Sequence, residues 1–239
     1  MLTIQTTEQL TGVIISGDYW DLVGLIDAIS EVIGDEKRYF DFQASRNRIL
    51  QVLIELRKAK SAEKNIEFVA NGLNKGIKHE RNFVAPEKNI YYSVEVLLPE
   101  IVFVAIALND FIQLHQETVD DSDWNIEVAT IRYFQSLIAN VLEEFMNKEQ
   151  YTMFLVLLHA KRPAFFRYAT QYVDVLNIEY LKLSAEERKQ LIPSFAIRYL
   201  ADDEGYQTLK EELLAVSNVQ KKELHQYGLT LRYPEKIEW

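Results

Sequence analysis

NIYYSVEVLLPEIVFVAIALNDFIQLHQE, residues 89 to 117, is the stretch on which the fold turns. From Tyr91 to Leu97 the side chains alternate. Tyr92, Val94, Val96 and Leu98 form a uniformly apolar set, and Tyr91, Ser93, Glu95 and Leu97 form the other. This pattern predicts a strand with the first set facing helices. Pro99 suits the first turn of a helix, where its missing N–H has no partner to lose. Every residue from Ile101 to Leu108 is apolar, so no side of this half of the helix can face water. Fully burying one such side chain contributes roughly 1.5–3 kcal/mol. From Asn109 onward the helix becomes amphipathic, with Asn109, Asp110, Gln113, Gln116 and Glu117 on a polar flank. A strand therefore leads into a central buried helix, about 99–117, that emerges toward water at its C-terminal end. The apolar run Leu97–Leu108 is shorter than the roughly 20 residues of a membrane span, so a buried soluble helix and no membrane association are expected.

Working toward the N-terminus, Leu2–Gln5 and Gly12–Ser16 read as two strands of a hairpin. Asp18 then caps a helix carrying Leu22, Leu25, Ile26, Ile29, Val32 and Ile33, which Gly34 stops. Gly24 inside it implies close packing against another backbone. A second helix starts at Ser45 with Ile49, Val52, Leu53 and Leu56 on one face. Arg46, Arg48, Arg57, Lys58 and Lys60 read as its wet face rather than as a nucleic-acid site. Ile66–Ala70 is a third strand with Ile66, Phe68 and Ala70 on one side, closed by the turn dipeptide Asn71-Gly72. The charged segment 71–89 that follows is a candidate binding loop.

Beyond the central helix, Thr118–Asn125 is polar and acidic and marks the best candidate boundary. The remainder reads as helices. Ile126, Thr130, Tyr133, Leu137, Ile138, Val141, Leu142 and Phe145 form one stripe. Tyr151–His159 and the set around Tyr172, Val173 and Leu176 form two more. Ser184 with Glu187 has capping-box spacing, and the helix it opens should kink or end at Pro193. Tyr206, Leu209, Leu213 and Val216 mark the last helix, followed by a possible strand at 229–232. Terminal Trp239 suggests that the end is tucked against the body. The fold class is α+β, mainly helical: a small, mostly antiparallel sheet from the N-terminal half, packed against the central helix and a helical C-terminal half. The organisation expected is one compact domain, 1–239, with two lobes, 1–119 and 120–239.

The chain carries a net charge of −10. Such a field repels phosphate backbones, so no nucleic-acid partner is expected. The absence of cysteine removes disulfides, thiolate metal sites and cysteine nucleophiles. The first residues have no basic or apolar leader pattern, which points to the cytoplasm.

No two of His79, His115, His159 and His225 lie three or four residues apart, so no helical zinc motif, and no metal, is expected. Asp120–Glu127 resembles a calcium loop but has Ile126 where glycine is needed and Arg132 where the bidentate Glu is needed. No phosphate-binding, nucleophile-elbow or kinase motif occurs, and no cofactor is implied. Ser16-Gly17-Asp18 could offer backbone N–H groups to an anion, but Asp18 and Asp21 would repel it. The dense acids Asp202, Asp203 and Glu204 have the reading of any acidic surface. Asn109-Asp110 is the most interesting polar pair, because a partly buried Asp110 could act as a general base. Tyr91 on the preceding strand completes the weak candidate set.

LTGVIISGDYWDLVGLIDAI, IYYSVEVLLPEIVFVAIALNDFI and the ending YPEKIEW resemble a family of uncharacterised proteins from low-GC Gram-positive bacteria, over essentially the whole chain. The resemblance implies a bacterial cytoplasmic protein and carries no activity or site residue. The function these features favour is non-enzymatic: a regulatory or immunity-like protein that binds a protein partner through an acidic, aromatic-containing surface. The alternative is a small hydrolase or ligand-binding protein with a pocket between sheet and helical lobe near Tyr91, Asn109 and Asp110. A homodimer is compatible with either.

Overall fold

The computed structural model describes residues 1–82, 84–119, 124–158, 169–201, 204–220 and 231–239. Four strands form one antiparallel sheet: β1 (Thr3–Thr6), β2 (Gly12–Gly17), β3 (Asn65–Ala70) and β4 (Lys88–Leu97), in the order β1-β2-β4-β3. Helices α1 (Tyr19–Ile33) and α2 (Gln43–Lys60) follow β2, and a short α3 (Lys75–Glu80) interrupts the loop between β3 and β4. Then come α4 (Leu98–Val119), α5 (Ile126–Glu143), α6 (Lys148–Leu158), α7 (Ala169–Leu181), α8 (Ala185–Ala201) and α9 (Glu204–Gln220). The mainly helical α+β architecture expected from the sequence is the one observed.

The β1–β2 hairpin is tightened by Thr7, whose hydroxyl accepts the Gly12 N–H at 3.0 Å. Gly12 is obligatory: a Cβ there would lie 2.0 Å from the Val96 carbonyl oxygen of β4. The turn is also held from the C-terminal half. Tyr180 donates its hydroxyl to the Leu10 carbonyl at 2.7 Å, and Arg188 donates to the Gln9 carbonyl at 2.9 Å. Asp18 caps α1 by accepting from the Trp20 and Asp21 amides, and Asp21 accepts from the Asp18 amide, a full capping box. Gly34 ends the helix at φ +59°.

Strand β4 passes straight into α4, with the Leu98 amide still bonded to Thr11 of the hairpin. Ile101–Leu108, Phe111 and Ile112 are all buried, and α4 packs against α1, α2, α5, α7, α8 and the sheet. By length and composition α4 could cross a membrane, but 78% of its apolar window is buried inside the protein, as for a core helix. One continuous apolar cluster runs from Val13 and Ile15 of β2 through Phe103 to Phe134, Tyr172 and Tyr206.

Several local expectations change. A Cβ on Gly24 would meet nothing within 4 Å, so close packing does not explain that glycine. Pro193 does not end its helix: α8 continues through it to Ala201. The α5 stripe is rotated. Val128, Ile131, Phe134 and Gln135 are buried, whereas Ile126 and Tyr133 are exposed, because α5 packs on α1 and α4 through the former set. The 71–89 segment contains α3, capped by Asn74. Asp110, expected on the wet flank, is buried. The calcium-like residues 120–123, together with His159, Asp202, Asp203, His225 and residues 229–230, lie outside the described residues.

Candidate functional site

Strand β3 is shorter than the strand it pairs with. Its register runs from Ala70 opposite Lys88 to Asn65 opposite Ser93, so among the described residues no strand pairs with β4 from Val94 onward on that side. The Asn71 amide bonds to the Glu87 carbonyl. In an antiparallel ladder this fixes which residues point which way. Odd-numbered residues of β4 turn their main-chain groups toward β3, and even-numbered ones toward β2. The Leu98–Thr11 bond on the β2 side has the same parity. Past Ser93, the N–H and C=O of Glu95 and the N–H of Leu97 therefore point out of the sheet.

A cavity of about 550 Å³ lies against this free edge. One stripe of α2 (Ala44, Asn47, Arg48, Gln51, Val52, Glu55) makes one wall, and Glu95–Leu97 make the next. Glu100 of α4, Thr170 and Asp174 of α7, and Ile237 and Trp239 of the terminal segment complete it. The tucked Trp239 expected from the sequence is thus a wall of this cavity.

Its floor is an ion network centred on Arg48. The guanidinium donates from Nε to Glu100 Oε1 at 2.8 Å and from Nη2 to Glu100 Oε2 at 2.6 Å. Nη2 also reaches Asp174 Oδ1 at 2.8 Å, and Nη1 the Thr170 carbonyl at 2.8 Å. Asn177 donates to Glu100 Oε2 at 3.0 Å, and the Tyr233 hydroxyl donates to Asp174 at 2.9 Å. Side-chain exposure is 15% for Arg48 and 14% for Glu100. Burial works against the Arg48 charge, but the Glu100 and Asp174 carboxylates outweigh it and hold the guanidinium above its ordinary value. Burial also pushes the Tyr233 hydroxyl up to about 12. The network ties α2, α4, α7 and the terminal segment together, and its charges are fixed rather than available for proton transfer.

The other acids of the lining differ. Glu55 is paired with Lys58 and Lys64, each at 2.7 Å. Glu95 accepts the Asn65 amide and has no cationic partner among the described residues. Among the described residues the lining contains no His, Ser, Tyr or Lys. The cavity thus offers an apolar wall (Val52, Leu97, Ile237, Trp239), a Glu95 carboxylate without a cationic partner among the described residues, and a main-chain edge.

The three residues singled out from the sequence lie outside its lining and share no hydrogen-bond partner. The Tyr91 hydroxyl accepts from the Met1 amino group at 2.6 Å. Asn109 accepts from Arg132. Asp110 has no hydrogen-bond donor among the described residues, and burial raises its carboxyl to about 7. None of the three lines this cavity, nor the smaller one of about 240 Å³ between α5 and α6, nor the open depression beside Leu191 and Arg198. His79 is exposed on α3 and His115 is buried. Among the described residues no three His, Asp or Glu are grouped to hold a metal.

Sequence reasoning placed Arg48 on a wet face. In the structure α7 covers it, and its charge is absorbed there. A signal was available: Glu100 interrupts the most apolar run in the chain, and Thr170, Asp174 and Asn177 recur at helical spacing on α7.

A family model described as "Domain of unknown function (DUF6904)" matches residues 2–239, and the chain belongs to that family. No curated protein and no solved structure matches it.

Proposed function

We propose that this member of an uncharacterised family is a non-enzymatic binding protein, and that an extended segment of a protein partner docks by adding a strand to the free edge of β4. The observation that carries the reading is that edge: Glu95 and Leu97 present main-chain groups to a cavity of about 550 Å³. Strand addition draws affinity from main-chain bonds and specificity from pockets for alternate side chains. Here one pocket is apolar (Val52, Leu97, Ile237, Trp239) and the other polar anchor is Glu95. The partner segment would therefore alternate apolar and basic residues. The volume is in the range of about 300–1,000 Å³ typical of ligand sites. The Arg48–Glu100–Asp174 network, whose charges are tied up in hydrogen bonds, favours binding over chemistry.

The net charge of −10 supports a basic protein partner over a nucleic acid. In this reading the protein is regulatory or immunity-like and works in the cytoplasm of a low-GC Gram-positive bacterium, away from membranes. Selection of a random displayed heptapeptide library on the full chain tests it. Peptides alternating apolar and basic residues are expected, with binding that weakens as salt rises and is lost in Val52→Trp. Enrichment of acidic peptides, or of peptides that Val52→Trp retains, would overturn the reading.

A further inference from the structure

Segment 231–239 forms no helix or strand. Among the described residues no hydrogen bond joins its main chain to the rest of the protein. Exposure alternates over its last residues. Lys236 and Glu238 are exposed, whereas Ile237 and Trp239 are half-buried, the pattern of an extended chain with one covered side. The covered side is turned to the large cavity, where Ile237 and Trp239 stand with Val52 and Leu97 in the apolar wall.

Among the described residues Tyr233 is the only polar attachment of the segment. Its hydroxyl donates to Asp174 Oδ1 at 2.9 Å and accepts from the Asn177 amide at 3.2 Å. Both partners are held in turn, Asp174 by Arg48 and Asn177 by Glu100. Tyr233 is thus pinned to a network that joins α2, α4 and α7, while Pro234, Glu235 and Lys236 beyond it are exposed. A stretch with exposed residues and no main-chain bonds opens at low free energy.

We propose that segment 231–239 is a clamp: pinned at Tyr233, it lifts to admit an extended segment at the β4 edge, then closes Ile237 and Trp239 onto that segment's apolar side chains. This rests on the docking reading above and adds the step that retains the partner. The free edge of β4 spans only Glu95 to Leu97, and pairing cannot run back past Ser93, where Asn65 of β3 already sits. Few main-chain bonds are therefore on offer, and the apolar wall has to supply the rest of the hold. Ile237 and Trp239 are the part of that wall not built on a helix or strand. A segment that competed with the partner would occupy the main-chain edge of β4 itself, and 231–239 makes no bond to it. With the clamp closed, Lys236 and Glu238 stay in water.

Trp239 reports the position of the clamp. The other two tryptophans, Trp20 and Trp124, are 75% and 93% exposed. Trp20→Phe with Trp124→Phe in the full-length protein leaves Trp239 as the only indole. Its fluorescence is quenched with acrylamide, with and without the capped pentapeptide LKVKL, whose affinity and dissociation rate are measured in the same protein. LKVKL is expected to shield Trp239 and lower the quenching. Tyr233→Phe removes the pin and leaves Arg48 paired with Glu100 and Asp174. It is expected to raise quenching in the free protein. It should also weaken LKVKL about tenfold, as for the loss of one hydrogen bond to a charged group, through faster dissociation. Unchanged quenching in free Tyr233→Phe would overturn the clamp. So would LKVKL binding that uncovers Trp239, or equal affinity with and without the Tyr233 hydroxyl; in these cases the peptide still binds and docking at β4 stands. A Tyr233 protein that does not bind LKVKL refutes the docking reading, and the clamp with it.

Discussion

Replacing Glu100 with Gln removes one charge from the floor of the cavity and leaves the shape almost unchanged. Glu100 accepts three bonds from Arg48 and one from Asn177. After Glu100→Gln, Arg48 keeps Asp174 as its anion, but an amide NH2 must face either its guanidinium or the Asn177 amide. Breaking a buried pair by removing one partner costs about 3–5 kcal/mol. Asp174 still compensates part of the charge, so the lower end, about 3 kcal/mol, is expected. For a chain of this length that corresponds to a fall in Tm of about 6–12 °C. The assay is urea unfolding at pH 7 followed by circular dichroism, with the m-value compared to exclude a change in the denatured state. The triple variant Arg48→Met, Glu100→Leu, Asp174→Asn should recover to within about 1 kcal/mol of wild type, because it removes all three ions together. If Glu100→Gln alone costs under about 0.5 kcal/mol, well below the range for a buried pair, the network is not holding α2, α4 and α7 together.

Other consequences are as direct. The Asp110 carboxyl is raised from 3.8 to about 7, so the folded state retains a proton that the unfolded chain releases. Stability from this group is present below about pH 4, falls as pH rises to about 7, and is level above. Asp110→Asn should therefore be increasingly stabilised relative to wild type from pH 4 to 7; a difference independent of pH would count against the buried carboxyl with its raised pKa. Gly24→Ala in α1, where the added Cβ meets nothing, should stabilise by about 1 kcal/mol and raise Tm; a lower Tm would mean that something does approach that position. Val104, fully buried in α4, should not tolerate Asp, since the charge has no partner there. Soluble, folded Val104→Asp protein would show that α4 is not the centre of the core.

The parts of this fold readable from the sequence are those set by neighbouring residues. The Asp18 and Ser184–Glu187 caps form as their spacing implies. The alternation of β4 and the unbroken apolar run of α4 fix a strand and a buried helix without reference to anything distant. The cavity was not readable, because its parts come together from far apart. Arg48 reaches Asp174 across 126 residues of chain, and on α2 alone it is one of several cations on a polar flank. The free edge of β4 depends on where β3 stops, at Asn65 opposite Ser93, and a register cannot be counted from either strand by itself. Asp110 looked like the first wet residue of α4, but tertiary cover buries it. Glu100 carried a signal that was not read: a carboxylate inside the most apolar run needs a buried partner, and Arg48 supplies it.

The binding role of the cavity is tested most directly by nuclear magnetic resonance of the indole N–H groups. The chain has three tryptophans, Trp20, Trp124 and Trp239, and Trp239 lines the cavity. The uniformly ¹⁵N-labelled protein is titrated with the capped pentapeptide LKVKL and with its acidic counterpart LEVEL, and the signals are assigned from Trp20→Phe and Trp124→Phe. A saturable shift of the Trp239 signal with LKVKL, little movement of the other two, and no response to LEVEL is the predicted result. A Trp239 signal that stays still, or one that moves equally with both peptides, would contradict it.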